Sequence, residues 1–151
     1  MSPSPRTVVT FQSATFNTTE ERDYFINPGT YGDDLARWVI GELSRRSYGV
    51  DIEPGQEDFG WYVNFRAGSR PYTFVIGYRP ADGSDPGSWI GWIERDAGFI
   101  ASMFGGRRKV DLSTVEAIHG LLAESLEISN IRWHDKSQFD RGIEENGTPK
   151  P

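Results

Sequence analysis

Large apolar residues alternate with smaller or polar ones along two central segments, residues 59–66 and 71–79. A period of two is typical of β-strands, and Gly68-Ser69 between the segments is typical of a two-residue hairpin turn. This turn would bring together four pairs of large residues: Phe65/Tyr72, Val63/Phe74, Trp61/Ile76 and Phe59/Tyr78. A slip of one residue would mix the two faces, so the pattern predicts one register.

Further strands are predicted at residues 8–13, 50–53, 88–95 and 129–134. In the third of these, Trp89 and Ile93 point to one face, and Ile90 and Trp92 point to the other. If the loop at 80–87 brings Ser88 opposite Arg79, this strand extends the hairpin into a meander.

Helical spacing of apolar residues predicts two longer helices, from Asp33 or Asp34 to about residue 47, and over residues 112–127. Their apolar stripes are Leu35, Trp38, Val39 and Leu43 in the first helix, and Val115, Ile118, Leu122 and Leu126 in the second. Residues 96–105 have the spacing of a short amphipathic helix.

The element order predicts an α+β fold, because short links join the central strands and the helices lie outside them. We expect a single twisted antiparallel sheet of five to six strands, with the two longer helices packed on one face. Residues 1–6 are predicted to form a disordered arm, residues 7–135 a single domain, and residues 136–151 a flexible tail.

The amino-acid composition excludes several classes of function. Acidic residues outnumber basic ones by 22 to 16, and the net charge of −6 argues against general nucleic-acid binding. No apolar run is long enough for a membrane span and the N-terminus lacks a signal peptide, so we expect a cytoplasmic protein without a membrane partner. The chain has no cysteine, which excludes disulfides and thiol nucleophiles.

The sequence contains no recognisable catalytic motif and predicts neither a cofactor nor a metal site. Its two histidines, His119 and His134, have no spacing that selects a metal, so a structural role is favoured for each.

Carboxylates enter and leave the predicted hairpin at the same end of the sheet. Glu57 and Asp58 precede the first strand, Asp82 and Asp85 follow the second, and Arg79 lies among them. These acids are either a docking rim for a basic partner or ordinary solvated loops, and the second interpretation is the commoner one.

The second face of the sheet is unusually apolar. The register places Tyr62, Arg66, Ile90 and Trp92 on it, where a solvated sheet face normally has polar residues. Trp, Tyr and Arg are enriched at binding hot spots. The alternative is that the N-terminal segment or the 96–105 helix covers this face.

Small size, acidity and the absence of cysteine make the chain similar to small bacterial inhibitor and immunity proteins. The resemblance implies a non-enzymatic protein-binding domain acting on a basic partner, through the surface just described. The alternative is a small hydrolase or ligand-binding domain that uses Glu57, Asp58 and His134. The sequence is also compatible with a homodimer.

Overall fold

The computed structural model describes residues 4–84, 86–95 and 109–151. Within these ranges the chain forms the following elements in order: β1 (Val8–Gln12), α1 (Asp33–Arg45), β2 (Gly49–Val50), β3 (Gly55–Glu57), β4 (Gly60–Ala67), β5 (Arg70–Arg79), β6 (Ser88–Arg95), α2 (Leu112–Ala123), β7 (Ser129–His134) and α3 (Lys136–Asp140).

The strands form one open antiparallel sheet in the order β2-β4-β5-β6-β1-β7, and β3 also pairs with β4. The predicted α+β class is confirmed. Strand β3 has no counterpart among the predicted strands, and of the strand predicted at 50–53 only Val50 is in a strand, as the second residue of β2.

The predicted hairpin register is confirmed for three of the four pairs: Trp61 with Ile76, Val63 with Phe74, and Phe65 with Tyr72. Gly68 has a φ of 63°, which the two-residue turn requires and which glycine adopts without a steric cost. Strand β6 joins as predicted, with Ser88 opposite Arg79. We call the side of the sheet that carries these aromatic pairs the first face.

The fourth predicted pair, Phe59 with Tyr78, is wrong. Gly60 has a φ of 154° and lies against β5 so closely that a Cβ on it would be 2.1 Å from the Ile76 carbonyl oxygen. This close approach ends the regular alternation and directs Phe59 away from the core. The Phe59 ring is 5.3 Å from the Trp92 ring, on the second face of the sheet.

Helices α1 and α2 pack on the first face. The residues that join each helix to the aromatic core are Leu35, Val39 and Leu43 in α1, and Val115, Ile118, Leu121 and Leu122 in α2. Leu126 was expected in the second stripe but is fully exposed. Helix α2 ends at Ala123, so Leu126 does not return to the buried side, and Ile128 contributes to the core instead.

The segment between β1 and α1 also packs on the first face. Phe16 lies 5.8 Å from Trp38 and 6.4 Å from Trp89, and Phe25 lies 5.7 Å from Trp61, all measured between ring centroids. β1 itself is a strand inside the sheet. The described N-terminal residues therefore do not form the layer over the second face that was one of the two alternatives.

The C-terminal segment, residues 136–151, was expected to be flexible, and the structure differs. Asp135 caps α3 by accepting a hydrogen bond from the Gln138 amide. Farther on, Thr148 exchanges two backbone hydrogen bonds with Trp133, of 2.6 and 2.9 Å. The segment thereby satisfies backbone groups that β7, as an edge strand, would otherwise expose.

Three expectations concern residues outside the described ranges. They are the short helix at 96–105, the first three residues of the N-terminal arm, and the position of Asp85.

Phe74 tests the register and the face assignment together. Its side chain is fully buried, between Val63 on one neighbouring strand and Ile93 on the other. We expect Phe74→Ala to lower the free energy of unfolding by about 3–5 kcal/mol, because it removes a large ring and leaves a cavity. Urea denaturation measures this change.

The matched control is Ile52→Ala, since Ile52 is 82% exposed, and its effect should stay within about 0.5 kcal/mol. Equal effects of the two substitutions would contradict the assignment of Phe74 to the core.

Candidate functional site

The predicted residues Tyr62, Ile90 and Trp92 lie together on the second face. Val75 is opposite both Tyr62 and Trp92 in the sheet and is 4% exposed, while the other three are half-buried. Phe59, which is 50% exposed, completes the group through its contact with Trp92. We call these five residues the apolar patch.

Two glycines shape the patch and were not recognised from the sequence alone. Gly60 redirects Phe59 onto the patch, and Gly55 in β3 leaves room for the Tyr62 ring, since a Cβ on Gly55 would lie 2.0 Å from the ring. A glycine inside an alternating strand commonly marks a bulge or a close backbone approach. That signal at Gly60 would have placed Phe59 correctly.

Polar groups border the patch. The Trp92 indole Nε1 donates to the Glu94 carboxylate at 3.1 Å, within an exposed environment. Arg66, predicted as part of the binding surface, forms a 3.2 Å ion pair with Asp51 in which both side chains are about half exposed. An exposed pair of this kind contributes little to stability, so Arg66 remains accessible to a partner's carboxylate.

The predicted acidic residues Glu57 and Asp58 are exposed beside Phe59. Asp58 accepts a 3.1 Å hydrogen bond from the side-chain amide of Asn27. Both carboxylates therefore flank the apolar patch, and neither is desolvated.

Among the described residues, Arg79 pairs with none of the carboxylates expected around it. Its guanidinium donates to both oxygens of Glu144 in the C-terminal segment, at 2.9 and 3.1 Å, and to the Ser88 hydroxyl at 3.2 Å. Asp82 is exposed at the rim of the same region, and Asp85 lies outside the described residues. Arg79 and Glu144 are 65 residues apart in the sequence, so local spacing could not predict this contact.

A polar cleft of about 740 Å³ occupies one end of the second face, where β5, β6, β1 and β7 meet the C-terminal segment. Its lining residues are Thr10, Phe11, Gln12, Arg79, Pro80, Ala81, Asp82, Pro86, Ser88, Asn130, Arg132, His134 and Glu144. The cleft contains two guanidinium groups, two carboxylates and one imidazole. It can therefore bind a charged or strongly polar small molecule.

His134 lies at the buried side of this cleft, with 3% of its surface exposed. Its Nε2 is 2.9 Å from the Thr10 hydroxyl, and its Nδ1 is buried without a hydrogen-bond partner among the described residues. Burial lowers the pKa of His134, and the nearby Glu144 carboxylate opposes this shift. At neutral pH the imidazole is therefore uncharged.

His119 has a structural contact of its own. The Trp133 indole Nε1 donates a 3.0 Å hydrogen bond to His119 Nδ1. Since an indole nitrogen only donates, Nδ1 must be unprotonated, which makes the ring neutral. Burial lowers the pKa of His119, which also favours the neutral ring, and the positive charge of Lys150 lowers this pKa further.

Other charges pair with one another at the opposite end of the sheet. The Tyr72 hydroxyl donates to the Asp111 carboxylate at 2.8 Å, and Arg70 also donates to it. These two hydrogen bonds, that of Tyr72 first, lower the pKa of Asp111. The arrangement links β5 to the start of α2.

The residues of the proposed hydrolase alternative lie far apart. Glu57 is on β3 and Asp58 adjoins β4, so His134 on β7 is at least four strand spacings away from each of them in the sheet. At about 4.8 Å per spacing, roughly 19 Å separate them, so they cannot share one bound water.

Within the part of the chain that the structure describes, no three histidine or acidic side chains are close enough to hold a metal ion. In the same residues, no helix has the length and apolar character needed to cross a bilayer.

The two histidines predict a pH dependence of stability. In the folded chain both histidine pKa values are lower than the value of about 6.5 in the unfolded chain. As the pH falls below about 6.5, the unfolded chain therefore binds more protons than the folded chain. Stability is thus fully present above about pH 6.5 and falls as the pH is lowered through the folded-state pKa values. Urea denaturation between about pH 5 and pH 7.5 measures the slope.

In the double variant His119→Gln/His134→Gln, neither side chain titrates, so the slope in this window should become much shallower. An unchanged slope would show that other groups cause it.

No protein-family model, curated protein or solved structure matches this chain. A proposal for its function therefore rests on the chemistry of its own surfaces.

Proposed function

We propose that this chain is a non-enzymatic protein-binding domain that docks a basic partner protein on the apolar patch. The observation that carries the proposal is the contact between Phe59 and Trp92, two large rings held together on the second face with Phe59 half exposed.

The location of the patch supports this proposal. An antiparallel sheet packed on one face normally has polar residues on the other, yet here five large apolar side chains gather there. Both longer helices pack on the first face, so within the described residues they do not cover the patch. Tryptophan and tyrosine supply most of the binding energy in many protein interfaces, because they bury a large area at a small entropic cost.

The acidic charge around the apolar patch favours a basic partner protein. Glu57 and Asp58 flank Phe59, Glu94 bonds to Trp92, and the whole chain has a net charge of −6. A basic surface would be attracted to this rim and would associate faster. A second copy of the same acidic face would be repelled, so we propose a different protein as partner and treat a homodimer as the alternative outcome.

Inhibitor and immunity proteins work in this way, by covering a partner's functional surface. We propose that class for this chain because its exposed groups suit binding: large rings lie together in the apolar patch, and the flanking carboxylates are solvated.

Affinity capture from cells that express the chain, followed by surface-based binding kinetics, tests the role of Trp92. We expect Trp92→Ala to raise the off-rate, with a loss of about 2 kcal/mol or more, because a desolvated anchor is removed. This corresponds to roughly a 30-fold weaker affinity.

Leu126→Ala is the matched control, since Leu126 is fully exposed beyond the end of α2, away from the patch, and should bind like the wild type. If Trp92→Ala also binds like the wild type, the apolar patch is not the interface.

The acidic rim predicts a different kinetic effect. Reversing both charges, Glu57→Lys with Asp58→Lys, should mainly slow association, and the difference from wild type should fade as the salt concentration rises. Stability should change little, because exposed carboxylates contribute little to it.

The control for net charge is the paired reversal Glu145→Lys with Asp140→Lys, in the C-terminal segment, where both residues are exposed. Equal slowing by the two pairs of reversals would mean that overall charge, rather than the rim beside Phe59, steers the partner.

A further inference from the structure

We propose that the polar cleft is a binding site for a small molecule carrying carboxylate or phosphate groups, and that Glu144 occupies part of this site when the ligand is absent. Arg79 and Arg132 would hold the anionic groups. This inference is independent of the apolar patch, since no residue of the patch lines the cleft.

The cleft has the dimensions of a ligand site. Its volume of about 740 Å³ lies within the range of roughly 300–1,000 Å³ that is usual for small-molecule pockets. Four strands, the loop between β5 and β6, and the C-terminal segment contribute to its walls, and eight of the thirteen lining residues lie on strands. Guanidinium groups bind carboxylate and phosphate through two parallel hydrogen bonds.

The spacing of Arg79 and Arg132 limits which ligands can contact both side chains. Arg79 ends β5 and Arg132 lies on β7, three strand spacings apart in the sheet. Their backbones are thus separated by roughly 14 Å. Because both side chains are long and can extend towards each other, one small molecule with two anionic groups can contact both.

Glu144 already makes the contact that a ligand would make. Its two carboxylate oxygens accept from the two terminal nitrogens of Arg79, at 2.9 and 3.1 Å. Both side chains are about 40% exposed, so the ion pair is solvated and contributes little stability. A competing anion can therefore replace Glu144 at a small cost in free energy.

His134 provides a second, independent indication of a ligand. Its Nδ1 is buried without a hydrogen-bond partner, and a Cβ on Gly147 in the C-terminal segment would lie only 3.0 Å from it. A buried unpaired nitrogen is costly, and native structures contain few of them.

The test is a titration of the full chain, followed by two-dimensional amide NMR at about 0.15 M salt, with pyrophosphate as one probe and glutarate as the other. We expect at least one probe to shift the backbone amide signals of Thr10, Ser88 and Arg132, and the responding probe distinguishes a phosphate from a carboxylate ligand. If neither probe shifts them at millimolar concentration, the proposal is wrong.

The decisive variant is Glu144→Gln. Removal of the resident carboxylate should tighten binding of the responding probe by about fivefold or more, because the ligand no longer competes for Arg79. Glu145→Gln changes the net charge equally and has no described contact with Arg79, so it should have a clearly smaller effect. Equal effects of the two substitutions would overturn the role of Glu144.

Substitutions of arginine residues are the last part of the test. Arg132→Gln should weaken binding at least tenfold, whereas Arg45→Gln, on α1 at the first face, should leave it within about twofold. Unchanged amide spectra of the free variants show that each one folds. If Arg132→Gln does not fold, Arg132→Lys replaces it, since lysine keeps the charge but loses the two-pronged contact. Binding unchanged in the arginine variant would contradict the proposed site.

Discussion

The pairing of β4 with β5 is the constraint on which the rest of the structure depends. Three cross-strand pairs of large residues place their side chains on the first face, where α1 and α2 bury them. Side chains alternate along a strand, so the same register sends Tyr62 and Val75 to the second face. A shift by one residue would exchange the two sets, and would lose both the core and the candidate binding surface.

The second face is divided along the sheet into two chemically different regions. The apolar patch lies over β4, β5 and β6, and the polar cleft lies over the ends of β5, β6, β1 and β7. Ile90 and Thr10 are opposite each other in the sheet and mark the boundary between the regions. Large rings in one region suit a protein surface, while guanidinium groups in the other suit a small anion. The two proposals can therefore succeed or fail separately.

Local patterns in the sequence predict the meander, the two longer helices and the face on which Tyr62 and Trp92 lie, because alternation and helical spacing are local properties. They do not predict where such a pattern stops. The close approach of Gly60 to β5 moves Phe59 to the other face, and the early end of α2 exposes Leu126. Local patterns do not predict long-range pairing either. The edge of β7 pairs with the C-terminal segment, and this pairing places Glu144 in a cleft that composition alone does not indicate.

The proposed interface requires the second face to be open to solvent at Trp92. A soluble paramagnetic agent broadens the NMR signals of exposed protons, and each tryptophan has one indole N–H. In the described part of the chain, the Trp92 indole N–H bonds to the exposed Glu94, whereas those of Trp61 and Trp133 bond to Thr30 and His119 inside the fold. With the second face open, we expect strong broadening for Trp92 and protection for the other two. A Trp92 signal as protected as that of Trp133 would mean that this face is covered, and would contradict its proposed role as an interface.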